Sequence, residues 1–275
     1  VSGKRFLNST PISPSISTQI YRPMLENKPL LLTGDLTHAC LLLHGLGGGA
    51  YEMQELGESL HRAGLTVQSI LYPGHDQPAK KMPRSQWQDW YAHILATYQT
   101  LAQTYERISL VGFSTGCPLG LYLAAQHPVF KLVMMAPYFR MRYEWYFGLP
   151  LEAYVWSLGL AITDVPRLRL PIFDPEMQKV ARAAAFYRTF NIASVRSAME
   201  LIDQVKHQLP QIQNPTLIIQ SPKDTVVDPA GATFLYEQLG SQDKNLHWLK
   251  TSDHIVTLDY EREEVFQLVT AFLRH

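Results

Sequence analysis

The chain has 275 residues, and its 24 Lys and Arg residues balance its 24 Asp and Glu residues, which gives a formal net charge of zero. With 46% hydrophobic and 17% charged residues, the composition is that of a globular protein and excludes a disordered chain. The length fits one large α/β domain, or one domain with an insertion, and the neutral balance argues against nucleic acid as a partner.

Short β-rich runs alternate with longer helical patterns along the chain. Residues 39–44 are continuously apolar, as in a strand that is buried on both faces. Further strands are predicted at 66–72, 108–111, 131–136, 216–220 and 246–250, and helices at 52–63, 85–105, 115–126 and 259–273. This alternation predicts an α/β fold with a mostly parallel sheet and helices on both faces, in which ligands bind beyond the carboxyl ends of the strands.

One connection is much longer than a crossover helix requires. Between Ala136 and Thr216 lie 79 residues, whereas a crossover needs about a dozen or more. We therefore expect a helical insertion at 137–206, with a core formed by 1–136 and 207–275. Its first part is rich in aromatic residues, namely Tyr138, Phe139, Tyr143, Trp145, Tyr146, Phe147, Tyr154 and Trp156. Such a segment next to strand ends indicates a lid over an apolar pocket, and the alternative is a small helical subdomain that packs its own aromatics.

A tight strand-to-helix turn carries the candidate nucleophile. The strand at 108–111 leads into Gly112-Phe113-Ser114-Thr115-Gly116, a G-x-S-x-G pattern with a strand before it and a helix after it. Steric restriction explains the two glycines, because side chains at 112 and 116 would collide with the neighbouring strand and helix. The turn pushes the Ser114 hydroxyl out at the top of the sheet and aims a helix N-terminus at the reacting centre. An ordinary turn serine or helix N-cap is the alternative.

A serine hydroxyl needs a base to accept its proton, and the chain has ten histidines. Most of them lie in predicted helices, strands or turns. His254 instead lies in a loop between the strand at 246–250 and the final helix, from which an imidazole can reach the end of another strand. Because a neutral imidazole suits general-base chemistry at neutral pH, His254 is the candidate base. The alternative is a solvent-exposed loop histidine.

Two aspartates compete to orient the imidazole, and both follow the strand at 216–220. Asp228 precedes Pro229 and a helical pattern, so it has a structural explanation as a helix N-cap. Asp224 has no such explanation and is the candidate acid. The order Ser114, Asp224, His254 is the chain order expected for α/β-hydrolases.

The glycine-rich segment that follows the strand at 39–44 is a candidate oxyanion hole. Acyl transfer places negative charge on the carbonyl oxygen, and two backbone N–H groups must meet it. We expect one from Thr115, next to the candidate nucleophile, and one from Leu46, whose backbone is freed by its glycine neighbours. A phosphate-binding loop is the alternative, but neither G-K-[ST] nor G-x-G-x-x-G is present. No histidine pair or Cys–His cluster has the spacing of a metal site, and no cofactor is implied.

Together these motifs resemble the α/β-hydrolase family, and within it bacterial carboxylesterases and monoacylglycerol lipases. The likeness covers roughly residues 37–275, although within 138–205 it is one of position and length only. It rests on His44-Gly45-Leu46-Gly47-Gly48, Gly112-Phe113-Ser114-Thr115-Gly116, Leu217-Ile218-Ile219-Gln220 leading to Asp224, His254-Ile255-Val256-Thr257-Leu258-Asp259 and Tyr72-Pro73-Gly74-His75. The resemblance implies that Ser114 is the nucleophile, Asp224 the acid, His254 the base, and Leu46 and Thr115 the oxyanion amides.

One position departs from the family pattern. The family often carries a second glycine after the nucleophile turn, where this chain has Cys117 followed by Pro118. The larger side chain would narrow the space behind the nucleophile. This difference leaves the candidate triad unaffected. It weakens the inference of a specific substrate from other members of the family.

The sequence thus predicts a serine hydrolase of carboxylic esters that works through an acyl-enzyme on a small-molecule ester or monoacylglycerol. Candidate substrate-lining residues are Tyr138, Trp145, Tyr146, Val226 and Ile255. Alternatives on the same triad are an acyltransferase, a thioesterase or a C–C bond hydrolase, and a further alternative is a non-catalytic ligand receptor on the same fold.

The expected compartment is the cytoplasm. Cys40 and Cys117 are too few for a disulfide framework and fit buried thiols in a reducing environment. The longest apolar runs are about ten residues, too short to span a bilayer. Because the chain begins at Val1 rather than Met, export stays open.

Overall fold

A computed structural model describes residues 24–34, 37–143, 148–158 and 162–275. The strands in chain order are β1 (Leu30–Leu32), β2 (His38–Leu43), β3 (Thr66–Ser69), β4 (Arg107–Phe113), β5 (Leu132–Met135), β6 (Asp164–Pro166), β7 (Thr189–Asn191), β8 (Thr216–Gln220) and β9 (Lys244–Trp248). The helices are α1 (Gln54–Arg62), α2 (Trp87–Leu101), α3 (Gly116–Ala124), α4 (Leu151–Leu158), α5 (Pro175–Ala184), α6 (Ile192–Lys206), α7 (Ala230–Gln238) and α8 (Arg262–Arg274).

The main sheet has the strand order β1-β3-β2-β4-β5-β8-β9. Strand β1 pairs antiparallel with β3, and the other neighbours pair in parallel. Along β2, Ala39, Leu41 and Leu43 pack into one apolar cluster, whereas Cys40 and Leu42 pack into a second cluster on the opposite face. Helices α2, α3, α6 and α7 complete the first cluster, and α1, α5 and α8 complete the second. The predicted fold class, a mostly parallel sheet with helices on both faces, is confirmed.

The structure moves several predicted boundaries and adds one strand. Strand β1 was not predicted, because three residues are too few to show a period. Strand β9 begins at Lys244, two residues before the predicted start, since this edge strand is partly exposed and opens with polar residues. The predicted helix at 52–63 begins with a 3₁₀ turn at Ala50–Glu52, and α1 follows it.

The segment at 137–206 is not purely helical as predicted. It contains a two-stranded antiparallel sheet formed by β6 and β7, besides α4, α5 and α6. Helix α6 packs against α2 and α3 and buries Ala198, Leu201 and Val205 in the first apolar cluster of the main sheet. The domain boundary at residue 206 and the role of this segment as a lid over an apolar pocket therefore stay predictions.

The loops that carry the candidate residues follow β2, β4, β8 and β9. Because these strands are parallel, their carboxyl ends lie at one edge of the sheet. The start of α3 lies directly against the end of β2, since a Cβ added at Gly116 would be 2.1 Å from the Leu43 carbonyl oxygen. This close approach brings the loop after β2 next to the turn after β4.

Replacing Gly116 by Ala tests this packing. We expect G116A to lower the free energy of unfolding by about 1–3 kcal/mol, because the Leu43 carbonyl cannot move aside without disturbing β2. In the matched control G120A, in the same helix, the new Cβ would first meet the flexible end of the Leu43 side chain at 3.3 Å. Since Ala favours helix over Gly, G120A should stay within about 1 kcal/mol of wild type. Urea unfolding measures both, and equal losses would contradict this account.

Candidate active site

The backbone at Ser114 forms the sharp turn that the glycine pattern predicts. Ser114 has a φ of 53°, in the left-handed region that residues other than glycine rarely adopt. Its N–H donates to the Met135 carbonyl oxygen at 2.9 Å, which fixes the turn to the end of β5. A Cβ at Gly112 would lie 2.7 Å from the Gly116 carbonyl oxygen, so no side chain fits there. Ser114 is 7% exposed, and its hydroxyl therefore lies in a nearly enclosed site rather than on an open apex.

A continuous chain of hydrogen bonds joins Ser114 to two residues from distant loops. His254 Nε2 lies 2.9 Å from Ser114 Oγ, and His254 Nδ1 lies 2.7 Å from Asp224 Oδ2. All three residues are buried, so these bonds are shielded from water. When Nδ1 donates to the carboxylate, Nε2 is left as an acceptor toward the serine hydroxyl, which is the geometry of general-base chemistry.

The Asp224 carboxylate is fully satisfied by donors. Its Oδ1 accepts the N–H groups of Val226 at 2.8 Å and Val227 at 2.9 Å, and its Oδ2 accepts Gln220 Nε2 at 3.1 Å in addition to His254. Burial alone would raise the pKa of Asp224, but the His254 imidazole and these N–H groups hold it below its ordinary value. The carboxylate is therefore ionised at neutral pH and fixed in direction.

The second aspartate of this loop serves the helix that follows. Asp228 Oδ1 accepts the Ala230 N–H at 3.0 Å at the start of α7, and Asp228 Oδ2 lies 3.8 Å from Arg140 Nε. The structure brings Asp224, and not Asp228, to His254. The N-cap of α7 is Pro229 rather than the predicted Asp228, which lies one residue before it, but Asp228 does serve the start of this helix.

Two acidic side chains that the sequence analysis did not single out brace the loop of His254. Asp253 Oδ1 accepts the N–H groups of His254 at 2.8 Å and of Thr225 at 2.9 Å, which ties this loop to the one after β8. Asp259 in turn accepts the N–H groups of Asp253 at 2.6 Å and of Phe173 at 2.9 Å. These contacts to backbone N–H groups fix the loop that carries the imidazole.

Glu261 closes the other end of the same loop. Its carboxylate accepts the N–H groups of Lys250 at 2.7 Å, Thr251 at 2.9 Å and Ser252 at 2.8 Å, and also the Ser252 hydroxyl at 2.7 Å. Burial would raise the pKa of Glu261, but these donors lower it to about 2. The loop therefore depends on an ionised side chain at its base.

The N–H groups predicted for an oxyanion hole belong to Leu46, in the loop after β2, and to Thr115, directly after Ser114. In the loop after β2, the Gly47 and Gly48 N–H groups donate to His75 Nε2 and the Gly45 carbonyl oxygen. Within the described ranges, neither the Leu46 nor the Thr115 N–H has an acceptor. Two free backbone donors next to a serine hydroxyl are what a developing oxyanion requires.

A buried acid holds the first peptide of this loop. Glu52 Oε2 accepts the Gly45 N–H at 3.1 Å, and Glu52 is 2% exposed. Burial raises its pKa to about 7, although Arg167 and the loop N–H groups oppose the rise. A Cβ at Gly48 would lie 2.1 Å from Glu52 Oε2, which explains why this position has no side chain. Glu52 was predicted only as the start of a helix, and its contact with this loop was not predicted.

His75 supports the same loop and is held neutral. Burial lowers the pKa of His75 to about 4, so its Nε2 is available to accept the Gly47 N–H at 3.1 Å. His44 is also buried with a pKa well below its ordinary value, and its ring stacks on Tyr72 with centroids 4.0 Å apart. His44 Nδ1 also contacts the Gly45 carbonyl oxygen at 2.8 Å, so this ring braces the start of the loop.

The candidate lining residues lie in different environments. Tyr138 is buried, and its N–H donates to the Ser114 carbonyl oxygen at 3.3 Å. Val226 is half-exposed beside Asp224, whereas Ile255 is buried in the second apolar cluster. Trp145 and Tyr146 lie outside the described residues. Contact of these residues with a substrate stays a prediction.

Cys117, at the position that departs from the family pattern, is buried under the turn. Its Sγ donates to the carbonyl oxygens of Gly112 and Met135, each at 3.3 Å. Burial raises the pKa of the Cys117 thiol well above its ordinary value, which disfavours the reactive thiolate.

The described part of the chain offers neither a membrane-spanning helix nor a cluster of metal ligands. None of its helices combines the length and apolar character needed to cross a membrane. In the same residues, no three His, Cys, Asp or Glu side chains cluster as metal ligands would.

Comparison with known proteins gives a consistent set of relatives. Residues 34–261 match the family model Hydrolase_4, described as serine aminopeptidase, S33. The chain is 26% identical over 247 residues to a carboxylesterase of Bacillus subtilis (strain 168), covering 90% of this chain and 96% of the relative. It is 29% identical over 236 residues to a thermostable monoacylglycerol lipase of Bacillus sp. (strain H-257), covering 82% and 86%.

A solved structure supports the same relationship. The fold is similar to one from a study of LipS and LipT, two metagenome-derived lipolytic enzymes. The TM-score is 0.81 at 27% identity, and the match covers 92% of this chain and 99% of the other. The resemblance to α/β-hydrolases that the motifs indicated is confirmed.

Replacing Glu261 by Gln tests the brace on the His254 loop. Because the pKa of Glu261 is lowered from 4.5 to about 2, its ionised form should stabilise the folded protein above about pH 4.5, and this contribution should fade as the pH falls toward 2. E261Q should therefore be less stable than wild type at neutral pH, with a difference that shrinks on acidification. The control E263Q removes a charge from the exposed surface of the same helix. Thermal unfolding across this pH range measures the effect, and a gap that is constant with pH, or equal in E263Q, would contradict it.

Proposed function

The chain belongs to the Hydrolase_4 family, and from that premise we propose that it hydrolyses carboxylic esters with Ser114 as nucleophile, His254 as general base and Asp224 as orienting acid. The observation that carries the proposal is the buried hydrogen-bond chain from Ser114 Oγ through the His254 ring to Asp224 Oδ2. The order of these residues along the chain and the strand-turn-helix setting of Ser114 support it.

In the first half of the reaction, Ser114 Oγ bonds to the ester carbonyl carbon as its proton passes to His254 Nε2. The carbonyl oxygen becomes an oxyanion and accepts hydrogen bonds from the Leu46 and Thr115 N–H groups. The bond to the alcohol oxygen then breaks, and His254 returns the proton to the departing alcohol. An acyl-enzyme on Ser114 is left.

In the second half, a water molecule attacks the acyl carbon while His254 Nε2 takes one of its protons. The tetrahedral intermediate collapses, the bond to Ser114 Oγ breaks, and the serine recovers its proton from His254. The carboxylic acid leaves. Asp224 stays ionised throughout, because it stabilises the imidazolium through Nδ1 and does not accept its proton.

The substrate class is proposed from the relatives together with the surface of the insertion. The relatives are named carboxylesterase and monoacylglycerol lipase. Exposed apolar side chains on this segment, including Leu149, Trp156, Ile162 and Leu168, are suited to an apolar acyl chain rather than a charged group. We therefore favour uncharged medium-chain esters and monoacylglycerols.

A fluorophosphonate probe tests the nucleophile. The wild-type protein should be labelled at Ser114, and S114A should lose both labelling and ester hydrolysis, by on the order of 10⁴-fold or more in kcat. S59A, which removes a half-buried hydroxyl on α1, serves as the control and should behave as wild type. Labelling elsewhere, or hydrolysis by S114A at the wild-type rate, would overturn the proposal.

The substrate class is tested on the same protein with four classes of substrate. These are p-nitrophenyl esters of increasing chain length, a monoacylglycerol, an acyl thioester and an aminoacyl p-nitroanilide. We expect kcat/KM to be highest for the uncharged esters. A higher value for the anilide would instead assign a peptidase, in line with the description of the family model.

The two aspartates of one loop provide a matched test of the acid. D224N should lower kcat by about 10³–10⁴-fold, because the amide favours the wrong imidazole tautomer while preserving shape. D228N makes the same change four residues away, where the Asn Oδ1 can still accept the Ala230 N–H, and should retain activity. If D228N lost more activity than D224N, the assignment of Asp224 would be wrong.

A further inference from the structure

The insertion contacts the loop after β2 directly, at Gly47. Arg167, which follows β6, donates from Nη1 to the Gly47 carbonyl oxygen at 2.9 Å. Phe190 of β7 packs on the same residue, since a Cβ at Gly47 would lie 2.7 Å from Phe190 Cε1. The Arg167 guanidinium lies over the Phe190 ring, 5.3 Å from its centroid. The two-stranded sheet of the insertion therefore covers this loop.

The peptide that Arg167 contacts joins Gly47 to Gly48, and its Gly48 N–H donates at 3.2 Å to the Gly45 carbonyl oxygen of the peptide that carries the free Leu46 donor. Gly47 has a φ of 66° and is held on its N–H side by His75. Leu46, directly before it, has its N–H unpaired within the described residues. Fixing the Gly45 N–H through Glu52 and the Gly47 carbonyl through Arg167 restrains the backbone on both sides of Leu46.

Arg167 also faces the buried acid below the loop. Its charge opposes the burial-driven rise in the pKa of Glu52 and that of Tyr51 next to it. An uncompensated carboxylate under an oxyanion site would disfavour the charge that develops there. Arg167 thus restrains the backbone of the loop and places a positive charge near the Glu52 carboxylate.

We propose that Arg167 is a positioning residue for the oxyanion-binding loop, through which the insertion holds the Leu46 amide in place for catalysis. This inference rests on the proposed function. Arg167 acts through the Gly47 peptide and not on the substrate, so its removal should weaken stabilisation of the oxyanion and leave ground-state binding unchanged.

The test compares R167M with R188M, which makes the same change at an exposed arginine next to β7. R167M should lower kcat by about 10–10²-fold, because a small misplacement of a catalytic donor has effects of this size. KM should change by less than about threefold, and the inhibition constant of a trifluoromethyl ketone, which forms an oxyanion on the serine, should rise by the same factor as kcat falls. R188M should match wild type in all three.

Two further measurements separate positioning from general destabilisation. Hydrogen–deuterium exchange of the Gly45 and Gly47 amides in the free protein should be faster in R167M than in wild type or R188M. R167K can restore a single bond to the Gly47 carbonyl but not the planar guanidinium geometry, so its kcat should fall between those of R167M and wild type. If R167M does not fold, R167K carries the test, with the same kinetic and exchange readouts expected to shift in the same direction.

The outcomes that would overturn the inference differ from those that would overturn the proposed function. Wild-type kinetics or unchanged loop exchange in R167M would overturn the inference alone, as would a rise in KM with kcat unchanged. Wild-type protein that is neither labelled at Ser114 nor active on esters would overturn the proposed function, and with it the positioning role of Arg167.

Discussion

The site depends on one close backbone contact, between the start of α3 and the carboxyl end of β2. With hydrogen alone at Gly116, the helix reaches the Leu43 carbonyl, and this brings the Ser114 turn against the glycine loop. A Cβ at Gly45 would lie 3.2 Å from the Ser114 Cβ. The unusual φ of Ser114 is tolerated because strands and helix on both sides fix the turn. Backbone packing alone therefore places the Ser114 hydroxyl close to the N-terminus of α3 and to the free Leu46 N–H.

Around this contact, buried carboxylates organise the loops through backbone N–H groups. Asp224, Asp259 and Glu261 each accept several such donors, which fixes their direction and ties separate loops to one another. Asp224 and Glu261 consequently have lowered pKa values. Glu52 is about as buried as Asp224 but accepts fewer hydrogen bonds, and its pKa is raised to about 7. The acid nearest the oxyanion loop is thus the one whose charge depends on a neighbouring cation.

Sequence could predict the parts of the site that are constrained locally. The glycines at 112 and 116 are predictable because backbone collisions require them, and the choice of Asp224 followed from the place of Asp228 just before a predicted helix. Long-range contacts left no such signal. Arg167 lies 120 residues from Gly47, and the residues next to it in the sequence give no reason to expect a functional arginine there. Strand β1 was missed for a related reason, since its three residues are defined by pairing with β3 rather than by their own pattern.

The contact at Gly47 changes how the insertion relates to the chemistry. An insertion that only formed a substrate pocket would affect KM and leave the oxyanion donors as they are. Here Arg167 bonds to the Gly47 carbonyl oxygen and Phe190 packs on Gly47, the residue after Leu46, so a shift of β6 and β7 would also move this loop. Changes in this segment that suit a new acyl chain would then alter kcat at the same time. On the proposed function, we therefore expect the sheet of β6 and β7 to link changes in the insertion to the stabilisation of the oxyanion, for as long as the contact at Gly47 persists.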